Sequence, residues 1–511
     1  MMPFFVRNTL KIKEMFFILT DKRLLKCAKM VSGKGKVCDV GTDHAYLPAY
    51  LVKNGICESA VAADIADGPL RSAKATLEKF ELLSKIELVK SDGLKEVNPE
   101  NITDVIIAGM GAETISNIIN DAEWLKNDVN IIVQPMTKIT FMRKWIYENG
   151  YEIVREEAVT DNDFVYTVMV LRYSGYHIKI NELSENLGKF DFSKDESKNY
   201  VTRRIKQLSD ISEGIKKSGK SNPVLLKTEE VIKKMNDILD NEYNVTVGDV
   251  YDIINSISPF STQDDWDNSG LLVGDKENIV TGVLVALDIT NDVIEEAVRK
   301  KANLIISHHP IIFRPIKKLS SKNPAVKMVS AGISAICVHT PIDMAVGGIN
   351  DIIVQMLKEK FEIKDVRPLI PLSENSDAGT GRIAELSSNE INAETFAQKL
   401  REIFGCMVVR YTCPEKSIRK VGICSGSGGS LLGEVMSEKC DAYITGDVKH
   451  DIWIDAYNND IALFDCGHYH TEKIVVDYIV KVLTANLTGI CIQASEACRD
   501  VVSYVFCVEE K

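Results

Sequence analysis

Short apolar runs that stop abruptly at Gly, Asp or Pro recur along this chain with helical patterns between them, and few folds accept that alternation. Between residues 20 and 175 the runs are VCDVGTD, AVAADIAD, IELVKSDG, TDVIIAGMG and NIIVQPM, separated by patterns such as LRSAKATLEKFEL. Strands alternating with helices imply a parallel sheet covered on both faces. The later stretch YEIVREEAVTDNDFVYTVMVLRY reads as two antiparallel edge strands. From 176 to 245 the period changes to three or four residues: Val201, Ile205, Leu208, Ile211 and Ile215, then Thr228, Val231 or Ile232, Met235 and Ile238 or Leu239. Breakers at Ser218-Gly219-Lys220-Ser221-Asn222-Pro223 divide it into two amphipathic helices of an antiparallel hairpin with a basic outer face. Alternation resumes from 246 with GVLVALD, NLIISHH, AICVHT, KVGICSG, AYITGD and IALFDCGH. The expected organisation is an N-terminal extension (1–19), a doubly wound α/β domain (20–175), a helical hairpin (176–245) and a second α/β domain (246–511), without solenoid repeats.

At 511 residues the chain exceeds what one core holds, since cores divide beyond roughly 250–300 residues. No apolar run approaches the ~20 residues of a membrane helix, so no membrane association is expected. The first twenty residues break their apolar stretches with Arg7, Lys11, Lys13 and Glu14, which argues against a secretory signal; Met15 is an alternative start. Twelve cysteines, irregularly spaced and never in a C-x-x-C pair, fit reduced thiols in a cytoplasm. Charge is uneven: residues 1–245 carry a net of −1 and residues 246–511 a net of −11. Within the first half, Arg7 to Lys36 holds nine basic and two acidic residues, and Lys198 to Lys234 ten and four. Such stretches suit phosphate contacts or a solvated helix face. Six of the eight histidines lie between His308 and His470.

Gly214 to Ser221 matches the pattern G-x-x-x-x-G-K-[ST], but that loop needs a buried strand before it and a helix after it. Here a heptad-patterned helix precedes and Asn222-Pro223 follows, so an ATPase is excluded. The stronger candidate is Asp39-Val40-Gly41-Thr42-Asp43-His44, where the first strand meets its helix, because ligands of such sheets bind beyond the strand carboxyl ends. A glycine there lets backbone approach a ligand. Asp64, ending the next strand, suits ribose hydroxyls, and Asp92-Gly93 suits an adenine ring. Gly109-Met110-Gly111 would line the substrate's entry.

The ordered strings GTDHAYLP, IADGP, SDGL, IAGMG and QPM resemble the bacterial tRNA adenine-22 N1-methyltransferase family over about residues 20–240. That resemblance implies a Rossmann-like class I methyltransferase fold binding S-adenosylmethionine around Gly41, Asp43, His44, Asp64, Asp92, Gly93 and Gly109. It implies a target base near Met110, Gly111, Gln134 and Pro135, and tRNA contacts from Lys22, Arg23 and the hairpin, with Arg203 and Arg204. The chemistry left open is consistent with it. Methylation of pyrimidine C5 needs a cysteine, and none lies between Cys57 and Cys337. Exocyclic amines use an Asn/Asp-Pro-Pro-aromatic loop where this chain has Ala108-Gly109-Met110-Gly111. A ring nitrogen attacks with its own lone pair, so orientation and desolvation suffice and no catalytic base is assigned.

In the second half, His308-His309 ends one apolar run, His339 and Asp343 follow another, and His468 follows a third with Glu472 four residues on. Adjacent histidines on extended backbone point apart, which suits two ions, and a His/carboxylate set without thiolate suits iron, zinc or manganese. The strings DDWDNSGLLVG, LDIT, SHHP, HTPID, GGIND, SGSGG, TGD and GHYHTE resemble the dinuclear-metal family called NIF-three-like, also labelled GTP cyclohydrolase I type 2. It implies His308, His309, Asp343, His468 and Glu472 as ligands of two divalent ions, His339 and Asp447 behind them, and a ring-forming homo-oligomer, hexameric through this domain. The reading is a cytoplasmic fusion of a tRNA (adenine-N1)-methyltransferase with a hydrolase-like module acting on a small-molecule or nucleotide substrate. Its rivals are a GTP cyclohydrolase or phosphoester hydrolase as main activity, and a non-catalytic metal-binding scaffold that oligomerises a tRNA binder.

Overall fold

The computed structural model describes residues 19–505 except 34, 218–222 and 388–390. The N-terminal signal reading, the start at Met15 and the breaker turn at 218–222 therefore lie outside the described residues. Two compact units divide between Tyr243 and Asn244.

The first unit is built on seven strands: β1 (Lys36–Val40), β2 (Ser59–Asp64), β3 (Ile86–Lys90), β4 (Ile102–Met110), β5 (Asn130–Pro135), β6 (Tyr151–Asp161) and β7 (Phe164–Tyr173), in the order β3-β2-β1-β4-β5-β7-β6. β1 to β5 pair in parallel, as their uninterrupted apolar runs require, and β1 stands where the strand order reverses. The last two strands differ from a simple edge pair. β6 takes the edge, and β7 lies between β5 and β6, antiparallel to both. The run Thr167–Leu171 is buried throughout, whereas β6 alternates buried and exposed positions, so the more apolar strand takes the interior. Asn162, at φ 50°, makes the turn between them.

Helices Asp195–Lys217 and Pro223–Leu239 pack Val201, Leu208, Val231, Met235 and Ile238 into a small core with Ala158 of β6 and Leu187. At about 1.5–3 kcal/mol per large buried aliphatic side chain, that stripe is what holds the hairpin to the sheet. Helix also precedes the Gly214–Ser221 string, which a phosphate loop would not allow.

The second unit contains two larger sheets. One has the order Cys491–Ala494, Gly282–Ala286, Leu304–Ser307, Ser334–Cys337, Gly270–Val273, with only the last strand antiparallel. The other runs Ile363–Pro371, Gly379–Leu386, Lys420–Ile423, Ala442–Thr445, Ala462–Asp465, Arg410–Tyr411. Its core strands Ala442–Thr445 and Ala462–Asp465 are buried at every position and parallel. Among the described residues no helix is long and apolar enough to cross a membrane, and the cysteines are unpaired thiols.

Candidate functional site

In the first unit, five consecutive strand ends form one rim. β1 delivers Gly41, β2 Asp64, β3 Asp92 and Gly93, β4 Gly109 to Gly111 and β5 Gln134 and Pro135. The rim is stitched across strands: Gly41 N and Thr42 N donate to the Ala63 carbonyl, and Ser91 N to the Asp64 carbonyl. Gly109, at φ +77°, would place a Cβ in open space, so backbone is accessible there. Its N–H donates to the buried Gln134 amide oxygen at 3.2 Å, and Met136 N donates to the Met110 carbonyl at 2.8 Å. Asp64 accepts from Ala66 N at 2.8 Å and Asp92 from Lys95 at 2.6 Å. Asp43 and His44 sit at the outer edge, 3.4 Å apart, with the imidazole stacked on Tyr46. Asp39 is a member of this rim to which sequence reasoning gave no role. Burial pushes its carboxyl up, Thr42 partly offsets this and Asp64 adds to it, leaving it at about 6. A buried acid closing a strand was the signal for it.

Beside Pro135 opens a cleft of about 360 Å³ whose walls include Met136, Lys138, Phe164, Tyr166, Tyr200 and Arg203. Phe164 and Tyr166 are two apart on β7 and so share a face, a pattern readable in FVY but not singled out in the sequence. Arg23 reaches the same wall. Held by Asp21 at 2.7 Å, its guanidinium lies over the Tyr166 ring at 5.3 Å and donates to Met136 Sδ at 3.0 Å. Lys22 is exposed beside it. The two hairpin arginines differ. Arg203 is exposed and donates to the Asp163 carbonyl, whereas Arg204 turns inward to Asn186 and Gln207, and burial lowers its pKa.

In the second unit the structure brings the five histidine and carboxylate side chains together between the two sheets. His308 and His309 lie in a bend just past Leu304–Ser307, and Asp343 lies in the short helix Thr340–Met344 after Ser334–Cys337. His468 and Glu472 bound a five-residue helix after Ala462–Asp465 of the other sheet. Around Glu472 the donors fall into two groups. Its Oε1 is 3.7 Å from His308 Nε2, which is itself 3.8 Å from Asp343 Oδ1. Its Oε2 is 3.1 Å from His309 Nε2 and 3.0 Å from His468 Nε2, and those two nitrogens are 3.2 Å apart. His339 packs its ring against both His308 and His309.

Each imidazole is oriented from behind. His308 Nδ1 bonds the Val338 carbonyl at 3.0 Å, His309 Nδ1 the Asp288 carboxylate at 2.8 Å, His468 Nδ1 Asp447 at 2.9 Å and His339 Nδ1 Asp267 at 2.8 Å. Carbonyl and carboxylate oxygens only accept, so each Nδ1 carries a proton and Nε2 is the nitrogen turned toward the cluster. His308 Nε2 and Glu472 Oε2 are buried without a hydrogen-bond partner. The 3.0–3.1 Å approaches of His309 and His468 to Glu472 Oε2 are close charge contacts, and ring nitrogens and a carboxylate converging this tightly fit a shared cation. The glycine loop is built around it: Gly426 takes φ +62°, and any Cβ there would collide with the Glu472 carboxylate.

Electrostatics agrees with an acceptor-rich centre. Burial pushes Asp343 up to about 7, with His308 opposing and Glu472 adding. Burial works against charge on His309 and His468, but bonds to Asp288 and Glu472 raise the first to about 10, and Glu472 raises the second to about 9. Burial likewise opposes the Glu472 anion, yet three imidazoles hold it well below the usual carboxylate range. Asp288 and Asp267 had no role in the sequence reading, although each lies in a string, LDIT or DDWDNSG, that drew notice.

Comparison with known proteins accounts for both units. The family model described as Duf34/NIF3 (NGG1p interacting factor 3) matches residues 245–498, and one described as a methyltransferase domain matches residues 20–169. A Clostridium acetobutylicum protein named GTP cyclohydrolase 1 type 2 homolog is 34% identical over 252 residues, covering 48% of this chain and 91% of that one. The Schizosaccharomyces pombe protein NIF3 homolog is 34% identical over 249 residues, 46% and 87% of the two chains. Among solved structures, the B. subtilis m1A22 tRNA methyltransferase TrmK is 26% identical, covering 44% of this chain and 97% of its own with a TM-score of 0.37. The chain belongs to the Duf34/NIF3 family through residues 245–498 and carries a methyltransferase domain over residues 20–169.

Proposed function

We propose that the first unit methylates N1 of an adenine in tRNA, at position 22, using S-adenosylmethionine. The observation that carries this reading is the aromatic and cationic cleft opening beside the β5 end of the rim. Gly41, Asp43, His44, Asp64, Asp92, Gly93 and Gly109 would hold the cofactor, whose sulfonium supplies an electrophilic methyl group. Met110, Gly111, Gln134 and Pro135 border the place where rim and cleft meet. Phe164 and Tyr166 offer ring faces to an unstacked base, as single-stranded RNA recognition requires. Lys22, Arg23, Lys138 and Arg203 offer charge to flanking phosphates, and the half-buried Arg204 lines the same cleft while tied to Asn186 and Gln207. A ring nitrogen needs positioning and removal from water, which fits a rim without a strong base at its centre.

The second unit would hold two divalent ions, iron, zinc or manganese, through His308, His309, Asp343, His468 and Glu472. Such a pair supplies Lewis acidity and a nucleophilic water, so the module's chemistry is hydrolytic. Asp288, Asp447 and the Val338 carbonyl hold the three imidazoles by Nδ1, so that Nε2 is the atom each would offer to an ion.

Incubation of the full chain with unmodified tRNA and isotope-labelled S-adenosylmethionine, followed by nucleoside mass spectrometry and position mapping, tests the first activity. Labelled 1-methyladenosine at position 22 is expected; label in another nucleoside, or none, overturns it.

A further inference from the structure

The mouth of the second unit's histidine and carboxylate cluster carries two exposed aromatic rings that its fold does not need. Trp266 is 57% exposed and Phe313 47% exposed, although indole and phenyl groups normally contribute to burial. The rings stand 6.0 Å apart at 56°, an open V rather than a closed stack. Trp266 also meets His339 edge to face at 5.6 Å, and His339 is the ring packed against His308 and His309. The V therefore lies one side chain away from the cluster. Asn268 ties its two halves together by donating from Nδ2 to the Ile312 carbonyl at 2.5 Å.

Charge supplies an independent observation. The loop that carries Phe313 contains Arg314, Lys317, Lys318 and Lys322 and no acidic residue between Pro310 and Asn323, within a half-chain whose net charge is −11. All four cations are exposed, and none forms an ion pair among the described residues. An acidic domain repels anions, so a run of unpaired cations on the loop that carries Phe313 creates a local exception. Asp264 and Asp265 immediately precede Trp266, which assigns the anionic end of a ligand to the loop rather than to that segment.

We propose that Trp266 and Phe313 form the base-capturing jaw for a nucleotide whose phosphate is met by the 314–322 loop and faces the histidine and carboxylate cluster. The proposal rests on reading that cluster as a metal centre for the role of the phosphate, and on the rings and loop alone for capture. Stacking accepts any base because every base has a π face, so the jaw selects the class rather than one nucleobase. A nucleotide can arrive free or as the end of an RNA chain, and the two sources share this chemistry.

Calorimetric titration of the full chain, with zinc or manganese added, decides it. The probes are adenosine and guanosine 5′-monophosphates, the parent nucleosides, inorganic phosphate and a 5′-phosphorylated trinucleotide. Trp266→Ala and Phe313→Ala are expected to weaken monophosphate binding at least about tenfold, the loss of one base–aromatic stack, while Trp266→Phe keeps most of it. Combined reversal of Arg314, Lys317 and Lys318 to Glu should weaken the monophosphates and spare the nucleosides. A trinucleotide that binds tighter than the monophosphates identifies a chain end as the source; equal affinity identifies the free nucleotide. Inorganic phosphate binding as tightly as the monophosphates, or Trp266→Ala binding them like the wild type, overturns the jaw. A Trp266→Ala variant that changes only the sedimentation coefficient also overturns it, by making the rings a contact between copies. Metal content measured alongside separates the two readings. A wild-type chain that holds no metal yet binds the monophosphates, with Trp266→Ala losing that binding, keeps the jaw and removes only the metal centre.

Discussion

Asp288 reaches the cluster through its 2.8 Å bond to His309, which holds that imidazole from behind. It fixes the tautomer and aims Nε2 at Glu472, and losing such a partner typically costs about 10–100-fold in metal affinity. Asp288→Ala should therefore weaken metal retention against a chelator by at least about tenfold while the thermal transition stays in place; equal retention removes its orienting role. At the rim of the first unit, Asp64→Ala should weaken S-adenosylmethionine binding more than about tenfold, roughly 1.4 kcal/mol, if the carboxylate holds ribose. Unchanged calorimetric affinity rejects that role. Much of this was legible at the residue scale because a polar side chain closing an apolar run has few places to go but the sheet's carboxyl edge. The same rule applied to LDIT would have found Asp288. The Val338 carbonyl could not have been found, since backbone acceptors leave no mark in a sequence.

Between elements, the firmest polar tie in the first unit is Arg143 with Glu156, both fully buried. Arg143 reaches Glu156 Oε1 at 2.7 Å and the Glu185 and Asn186 carbonyls at 2.9 and 3.2 Å, joining the helix Ile139–Glu148, β6 and the helix Glu182–Leu187. Removing one partner of a buried pair strands the other, at about 3–5 kcal/mol. Arg143→Ala should lower the urea midpoint of the first unit's transition accordingly, and an unmoved midpoint contradicts the pairing. A second tie is Glu157, which accepts from Lys26 of the helix Lys22–Ala28 at 2.9 Å. Burial would raise its pKa, but Lys26 and Arg155 outweigh burial and hold it at about 2, below the ordinary 4.5. A depressed acid stabilises the fold above its unfolded pKa and loses that contribution as pH falls through the folded value. The stability gap between wild type and Glu157→Gln should be full above about pH 5 and vanish near pH 2; a gap independent of pH contradicts it. The parallel strands were readable because their runs are apolar at every position. The strands Ile363–Pro371 and Gly379–Leu386 were not, because IKDVRPLIP mixes charge and proline with its apolar residues and offers no clean period of two. The place of β7 inside the sheet depends on which of two adjacent strands is the more apolar, a comparison that each strand's own pattern does not make.

Across the whole molecule the charge is partitioned, with a net of −1 over residues 1–245 and −11 beyond. Only the first stretch can approach a polyanion broadly, and there exposed cations on the helix Asp195–Lys217 face solvent beside the aromatic cleft. Reversing Arg203 and Lys206 to Glu should weaken tRNA binding and lower the slope of log affinity against log salt by about 1–2, one phosphate contact per residue. A slope unaltered by both reversals would place the RNA elsewhere. Two units were foreseeable from length and from the break in hydrophobic period, whereas the separate sheets of the second unit were not, since strand ends look alike whichever sheet they close. The feature joining those sheets is Glu472, with one carboxylate oxygen toward His308 and the other toward His309 and His468. Elemental analysis of the full chain, reconstituted with iron, zinc or manganese and freed of excess ion, tests that arrangement directly. Two ions per wild-type chain and fewer than one per Glu472→Gln chain are predicted; a wild-type chain holding no ion, or a Glu472→Gln chain holding two, would contradict it.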